Sequence, residues 1–283
     1  MGTYAVTGSA SGMGFEAAQR LRAAGHTVIG VDIKDSDVVA DLSTEDGRRV
    51  AADAVLARCA GTLDGAILAA GLGPASGRER QIAQVNFFGV VALLTAWRPA
   101  LARAGRAKVV VVSSNSTTTT PAVPKRAVRS LLAGDADRAV RAVRFYGRAS
   151  AVMIYAASKT AVSHWVRRQA TRVEWAGAGI RLNALAPGAI MTPLLEEQLA
   201  DPADAKAVKA FPVPVGGYGD AGQLADWMMF MLSDAADFLC GSVVFVDGGS
   251  DAYFRPDAWP TRVPARSVPQ YLLRFLGYSR SRR

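Results

Sequence analysis

Short runs of consecutive apolar residues alternate along the chain with longer segments in which apolar residues recur every three or four positions. The runs at residues 4–6, 28–31, 66–68, 109–112, 180–185 and 243–246 are continuous rather than alternating, as strands buried on both faces require. Between them, residues 15–24, 44–59, 81–104, 156–176 and 220–231 carry helix-forming residues at helical spacing. This alternation predicts an α/β fold: a doubly wound parallel sheet with helices on both faces.

Two stretches break the rhythm. Residues 121–150, rich in Ala and Arg, contain helix-like segments split by Gly134 and read as a helical insert, a lid or an interface element. Residues 254–283 contain Pro256, Pro260, Pro264 and Pro269, which are expected to break regular structure. The predicted organisation is one domain over residues 1–253, with the insert at 121–150, followed by a tail over 254–283.

Charge sharpens that boundary. The formal net charge is +9, but the tail holds seven arginines against one acid, Asp257, so the body is nearly neutral. A nucleic-acid partner is therefore not expected. Two isolated cysteines and two histidines, His26 and His164, offer no disulfide framework and no metal-ligand spacing, so no metal site is expected. No run approaches the ~18 consecutive apolar residues of a membrane span. Residues 1–7 lead directly into a strand, with no signal peptide apparent, so a reduced cytoplasmic setting is the expectation.

The candidate chemistry begins at Thr7-Gly8-Ser9-Ala10-Ser11-Gly12-Met13-Gly14, between the first strand and the first helix. Glycines permit a tight turn, and a helix N-terminus offers free N–H groups to phosphate, so this is a dinucleotide cradle of Rossmann type. Asp32 ends the second strand, where a carboxylate accepts the adenosine ribose hydroxyls and repels a 2′-phosphate, favouring NAD over NADP. The plainer alternative is a turn aspartate before Ile33-Lys34-Asp35. Tyr155 and Lys159 lie four apart, on one helix face, where an ammonium is expected to lower the phenol's pKa toward working pH. Ser114 follows a strand and is placed to bond a substrate oxygen; Asn86 is placed to anchor a water near the lysine. Serines end many strands, however, and an asparagine within a helix also serves to satisfy backbone.

Together these motifs resemble the short-chain dehydrogenase/reductase family, from residue 3 to about 252. The turn fits TGxxxGxG, and Asn86, Ser114, Tyr155 and Lys159 fit the family's Asn-Ser-Tyr-Lys tetrad. Asp41-Leu42 fits its adenine-contacting pair, Asn183 to Gly188 with Thr192-Pro193 its nicotinamide segment, and Val246-Asp247-Gly248-Gly249 its closing strand. The resemblance implies that NAD is held by Gly8, Ser11, Gly12, Met13, Gly14, Asp32, Ile33, Asp41, Leu42, Ala70, Gly71, Tyr155, Lys159, Pro187, Gly188, Ile190 and Thr192. Within the family, the segments 40–44, 70–74 and 247–252 and the 41-position gap from Ser114 to Tyr155 are similar to a hydroxysteroid-dehydrogenase-like branch. That likeness implies a helical insert obstructing the usual subunit contact, hence a different dimer. One departure is Ala69-Ala70-Gly71 where the family has Asn-Asn-Ala-Gly; a small catalytic cost is expected, because Gly71 still admits the cofactor.

The resulting expectation is an NAD-dependent alcohol dehydrogenase/ketone reductase. Tyr155 exchanges the hydroxyl proton, Ser114 fixes the substrate oxygen, Lys159 holds ribose and lowers the tyrosine pKa, and Asn86 supports a proton relay. Met191, Leu194, Leu195, Phe211, Pro212, Val213 and Pro214, together with the insert, are expected to border a pocket for a hydrophobic ketone or alcohol, steroid-like, terpenoid-like or aromatic. The expected assembly is a homodimer or homotetramer. The alternative function is a non-catalytic NAD-binding sensor or scaffold, against which the intact Tyr155 and Lys159 argue. The tail reads as a solubilising segment or an arm on a neighbouring subunit; the lesser reading, from amphipathic residues 271–276 flanked by arginines, is contact with a membrane surface.

Overall fold

The computed structural model describes residues 1–259, 261 and 263–278, without the side chains of residues 202–204, 276 and 278. The strands are β1 (Thr3–Thr7), β2 (Thr27–Asp32), β3 (Val38–Val39), β4 (Gly65–Leu68), β5 (Lys108–Val112), β6 (Arg181–Pro187), β7 (Ile190–Met191), β8 (Gly219–Asp220) and β9 (Val243–Val246). Seven of them form a parallel sheet in the order β3-β2-β1-β4-β5-β6-β9, while β7 and β8 pair separately. All six strands read from the sequence are present; β3, only two residues long, is too short to register as an apolar run.

Both faces of the sheet are covered, which explains the continuous apolar runs. Val109 and Val111 point into one core, Val110 and Val112 into the other. The first layer comprises α2 (Glu45–Arg58), α3 (Glu79–Ala83), α4 (Val90–Arg103) and α8 (Ser150–Ala170); α1 (Gly12–Ala23) and α11 (Ala221–Leu232) cover the opposite face. Local chemistry sets several helix starts. Thr44 accepts from the Gly47 N–H, and Asp220 with Gln223 forms a reciprocal capping box.

Between β5 and α8 the chain forms α5 (Ser116–Thr119), α6 (Lys125–Leu132), α7 (Ala136–Val143) and a 3₁₀ segment, Arg144–Ala149. Gly134, at φ +83°, separates α6 from α7, and the Asp135 carboxylate caps α7. Val128, Leu131, Ala139 and Val143 bury the insert's apolar stripe in the layer made by α3 and α8. After β7 come α9 (Pro193–Ala200) and α10 (Pro202–Ala210), then α12 (Ser250–Phe254) and α13 (Val268–Tyr278).

Two expectations need correction. Residues 81–104 are not one uniform α-helix: a π-helical segment, Gln84–Gly89, interrupts it. The continuous stretch Glu79–Arg103 is long and apolar enough by length and mean composition to cross a bilayer, though it holds no unbroken apolar run of that length; here Ile82, Leu93, Trp97 and Leu101 are fully buried. The tail contains a helix despite its prolines, because Pro269 falls within the first turn of α13, where no intrahelical N–H bond is lost. Arg262, Arg280, Arg282, Arg283 and Pro260 lie outside the described residues.

Candidate active site

The C-terminal ends of the parallel strands converge, and there the chain turns glycine-rich. After β1, Gly8 and Gly12 adopt φ +70° and +54°, and the Gly8 N–H bonds the Val31 carbonyl at 2.9 Å. A Cβ on Gly14 would lie 2.2 Å from the Gly8 oxygen, so a side chain there is incompatible with the turn. Ser11 makes no side-chain cap and the first turn of α1 holds no acid, leaving its N–H groups available to an anion. Asp32 accepts from the Ala10 N–H at 2.9 Å and the Ile33 N–H at 2.7 Å, which fixes its carboxylate beside the turn. These features fit the pyrophosphate and ribose of a dinucleotide.

A cavity of about 400 Å³ opens next to this turn. Met13, Gly71, Ser114, Tyr155, Lys159, Pro187, Gly188, Ile190 and Thr192 all border it. Gly8 abuts Ala70, and Gly12 abuts Thr192, so the turn and the cavity wall are continuous. Asp41 and Leu42 stand apart from the cavity, on the loop after β3. The Asp41 carboxylate accepts from the Ser43 N–H, and the Leu42 carbonyl accepts from buried Arg48. Ile33 is largely exposed.

Tyr155 and Lys159 project from one face of α8, and Ser114 borders the same cavity close enough to act on the tyrosine hydroxyl. Lys159, 5% exposed, donates to the Val112 carbonyl at 2.9 Å, and its Nζ lies 6.0 Å from the Tyr155 ring centre. Here the electrostatics differ from the sequence expectation. Burial pushes the Tyr155 pKa above its ordinary value, and only Ser114 draws it back. Burial also brings Lys159 down to about 8. The ammonium's hydrogen bond is to a backbone carbonyl, and Lys159 is not among the groups that shift the phenol.

Asn86 sits in the π-helical segment, fully buried. Its side chain accepts from the Leu72 N–H at 2.8 Å and donates to the Leu72 carbonyl at 2.9 Å. Its visible work is therefore to hold the backbone after β4. A Cβ on Gly71 would sit 3.3 Å from Asn86 Oδ1 and 3.5 Å from Lys159 Nζ, so Gly71 keeps that junction open.

The cavity wall also differs from the expectation. Leu194, Leu195 and Phe211 do line it; Met191, Pro212, Val213 and Pro214 do not, and Val213 and Pro214 pack against Gly248 and Gly249 instead. The insert, residues 121–150, contributes no lining residue, because its apolar stripe faces α3 and α8. Sequence reasoning missed the polar wall formed by Asn115, Ser116, Thr119 and Thr120. Among the described residues, Asn115 Nδ2 and Ser116 Oγ are buried without a hydrogen-bond partner. The signal was the unbroken polar run from Ser113 to Thr120, in which only Ser114 belongs to a family motif.

This fold and site define a short-chain dehydrogenase/reductase, and the chain belongs to that family: residues 3–125 match the family model described as short chain dehydrogenase. Residues 146–251 match the model described as enoyl-(acyl carrier protein) reductase. The chain is 37% identical over 256 residues to 3-alpha-hydroxysteroid dehydrogenase/carbonyl reductase of Comamonas testosteroni, covering 90% of this chain and 99% of that protein. The solved structure of 3-alpha-hydroxysteroid dehydrogenase from Pseudomonas sp. B-0831, complexed with NADH, is similar at TM-score 0.85 and 42% identity, over 91% of this chain and 100% of that one. Levodione reductase is similar at TM-score 0.68 and 28% identity, over 88% and 97% of the two chains. The protein is thus an oxidoreductase using a nicotinamide dinucleotide, and the bacterial hydroxysteroid dehydrogenase/carbonyl reductases seen in its motifs are indeed among its relatives.

Proposed function

We propose that the enzyme interconverts a secondary alcohol and a ketone on a hydrophobic ring scaffold, using NAD(H). One observation carries this reading: Ser114, Tyr155 and Lys159 together border a mostly apolar cavity beside a glycine turn fixed by Asp32. The relatives named for hydroxysteroids and levodione support a cyclic ketone.

When bound, the dinucleotide supplies or accepts the hydride. Gly8, Ser11, Gly12, Met13 and Gly14 receive its pyrophosphate, and the Asp32 carboxylate takes the ribose hydroxyls and repels a 2′-phosphate. Ala70, Gly71, Pro187, Gly188, Ile190 and Thr192 shape the nicotinamide end, and Ile33, Asp41 and Leu42 the adenine end. In reduction, Tyr155 donates its phenolic proton to the carbonyl oxygen while Ser114 orients that oxygen. Lys159 would place a positive charge beside the ribose site of the bound dinucleotide.

The lining has two chemistries. Leu194, Leu195 and Phe211 offer an apolar wall; Asn115 and Ser116 offer buried polar groups that need partners. A flat hydrophobic substrate with a second oxygen on one edge satisfies both. The assembly that suits this chain is a homodimer through the open edge of β9 and the adjoining α11, where Trp227 and Phe230 are exposed beside each other.

The test is NADH consumption against 3-ketosteroids, cyclic terpenoid ketones and aromatic carbonyls, with Tyr155→Phe as control. Turnover lowered about 10²- to 10⁴-fold in the variant, with NADH binding retained, is expected. NADH binding with no turnover of any ketone would instead make the chain a sensor or scaffold of the same fold.

A further inference from the structure

The body of the enzyme closes at α12. There Ser250 donates to the Pro212 carbonyl at 2.7 Å, and the Phe254 ring lies 5.7 Å from Phe211 of the cavity wall. The family match ends at residue 251, and relatives covered over 99–100% of their own length leave about a tenth of this chain without counterpart. The chain beyond Phe254 is an addition to a complete catalytic body, and it leaves from the rim of the substrate cavity.

That addition contains α13, whose substantial packing among the described residues is confined to the short turn Ala265–Ser267 just before it. Val268, Tyr271, Leu272 and Phe275 recur at helical spacing and form an apolar face, yet Tyr271, Leu272 and Phe275 are 55%, 52% and 71% exposed. An 11-residue helix is too short to persist in water by itself, so this face requires a surface to lie on. Two features select that surface. Residues 254–283 carry seven arginines and one acid, and the body is itself slightly basic, so a second copy of the chain offers no net negative charge. Exposed Trp259 and Tyr271 add aromatic rings of the kind that settle at a headgroup boundary.

We propose that the tail forms an interfacial anchor in which α13 lies in the headgroup layer of an anionic lipid surface, with Arg266 and Arg274 on the lipid phosphates and carboxylates. The arrangement holds the cavity rim close to a bilayer, the phase into which an apolar ring ketone partitions. That last consequence rests on the proposed substrate class; lipid binding itself does not.

The experiment is co-sedimentation of the full chain with phosphatidylcholine vesicles, with and without phosphatidylserine. Phosphatidylserine is expected to raise the bound fraction about tenfold, with the gain lost in high salt. Leu272→Glu combined with Phe275→Glu is expected to abolish binding, and Arg266→Gln combined with Arg274→Gln to weaken it. NADH-dependent turnover in solution, and mass by size exclusion, stay unchanged in both. Equal, weak sedimentation with both vesicle types overturns the proposal. So does binding that survives the glutamates, or an acidic variant whose oligomer falls apart, since α13 would then be an arm between subunits. Turnover is assayed without lipid, so failure of the anchor is distinguishable from failure of the functional reading.

Discussion

Four residues of helix bring Tyr155 and Lys159 onto one face, but burial sets how each titrates. The phenol is raised above its ordinary pKa, which suits a proton donor at neutral pH. The ammonium is lowered to about 8 from its ordinary 10.5. A buried base with a depressed pKa binds fewer protons folded than unfolded between those two values. Its charge therefore costs stability below about pH 8, and the cost fades as pH rises toward 10.5. Relative to Lys159→Met, the parent is expected to gain about 2–3 kcal/mol between pH 7 and pH 10, measured by urea unfolding without cofactor. A gap that stays constant would show that Lys159 titrates normally. The same property predicts that NADH affinity, measured by fluorescence, weakens as pH rises through about 8, because the ammonium beside the ribose site is lost. At Asn115, removing the buried amide should separate substrates. Asn115→Leu is expected to cost about tenfold in kcat/KM for a ketone with a second oxygen, and little for one without. Of the site, Ser114, Tyr155, Lys159 and the glycines were legible because their chemistry is tied to local spacing. Asn115 was not, because its lack of a partner exists only once β5 meets β6, where its N–H bonds the Pro187 carbonyl at 2.9 Å.

At the scale of elements, the π-helical segment Gln84–Gly89 shows how a local irregularity serves a distant strand end. It carries Asn86, which bonds both backbone groups of Leu72 in the cavity wall. Asn86→Ala leaves a buried N–H and a buried carbonyl without that partner. A loss of about 1–3 kcal/mol in stability is expected by chemical denaturation, together with weaker turnover. The apolar spacing of residues 81–104 reads equally well as uniform helix, since the change from i→i+4 to i→i+5 bonding is made by backbone groups that the sequence does not display. The insert shows the converse. Its helices and the break at Gly134 were legible, yet its destination was not, because an apolar stripe specifies that it will be buried without naming the partner face. It buries against α3 and α8, away from the cavity.

At the scale of the molecule, the sheet leaves β9 at an edge, flanked by the exposed Trp227 and Phe230 of α11. With the insert occupying the α3 and α8 side, this edge is where a second copy fits the proposed dimer. Trp227→Glu is expected to shift the protein to a lower mass by light scattering, with the NADH site intact; an unchanged mass places the contact elsewhere. The sequence by itself determined the alternation of strands and helices, the parallel two-faced sheet, the glycine turn with Asp32, and the Tyr155–Lys159 pair. The glycine turn and the Tyr155–Lys159 pair depend on spacings within one element, where backbone geometry alone relates the residues; Asp32 and the two-faced sheet were read from the order and continuity of the strands. Tertiary structure decided the strand order, the polar wall of the cavity, the inward turn of Asn86, the insert's resting place and the pKa directions of Tyr155 and Lys159. Those are properties of burial and of contacts between residues far apart in the chain, and burial is known only when every layer is in place.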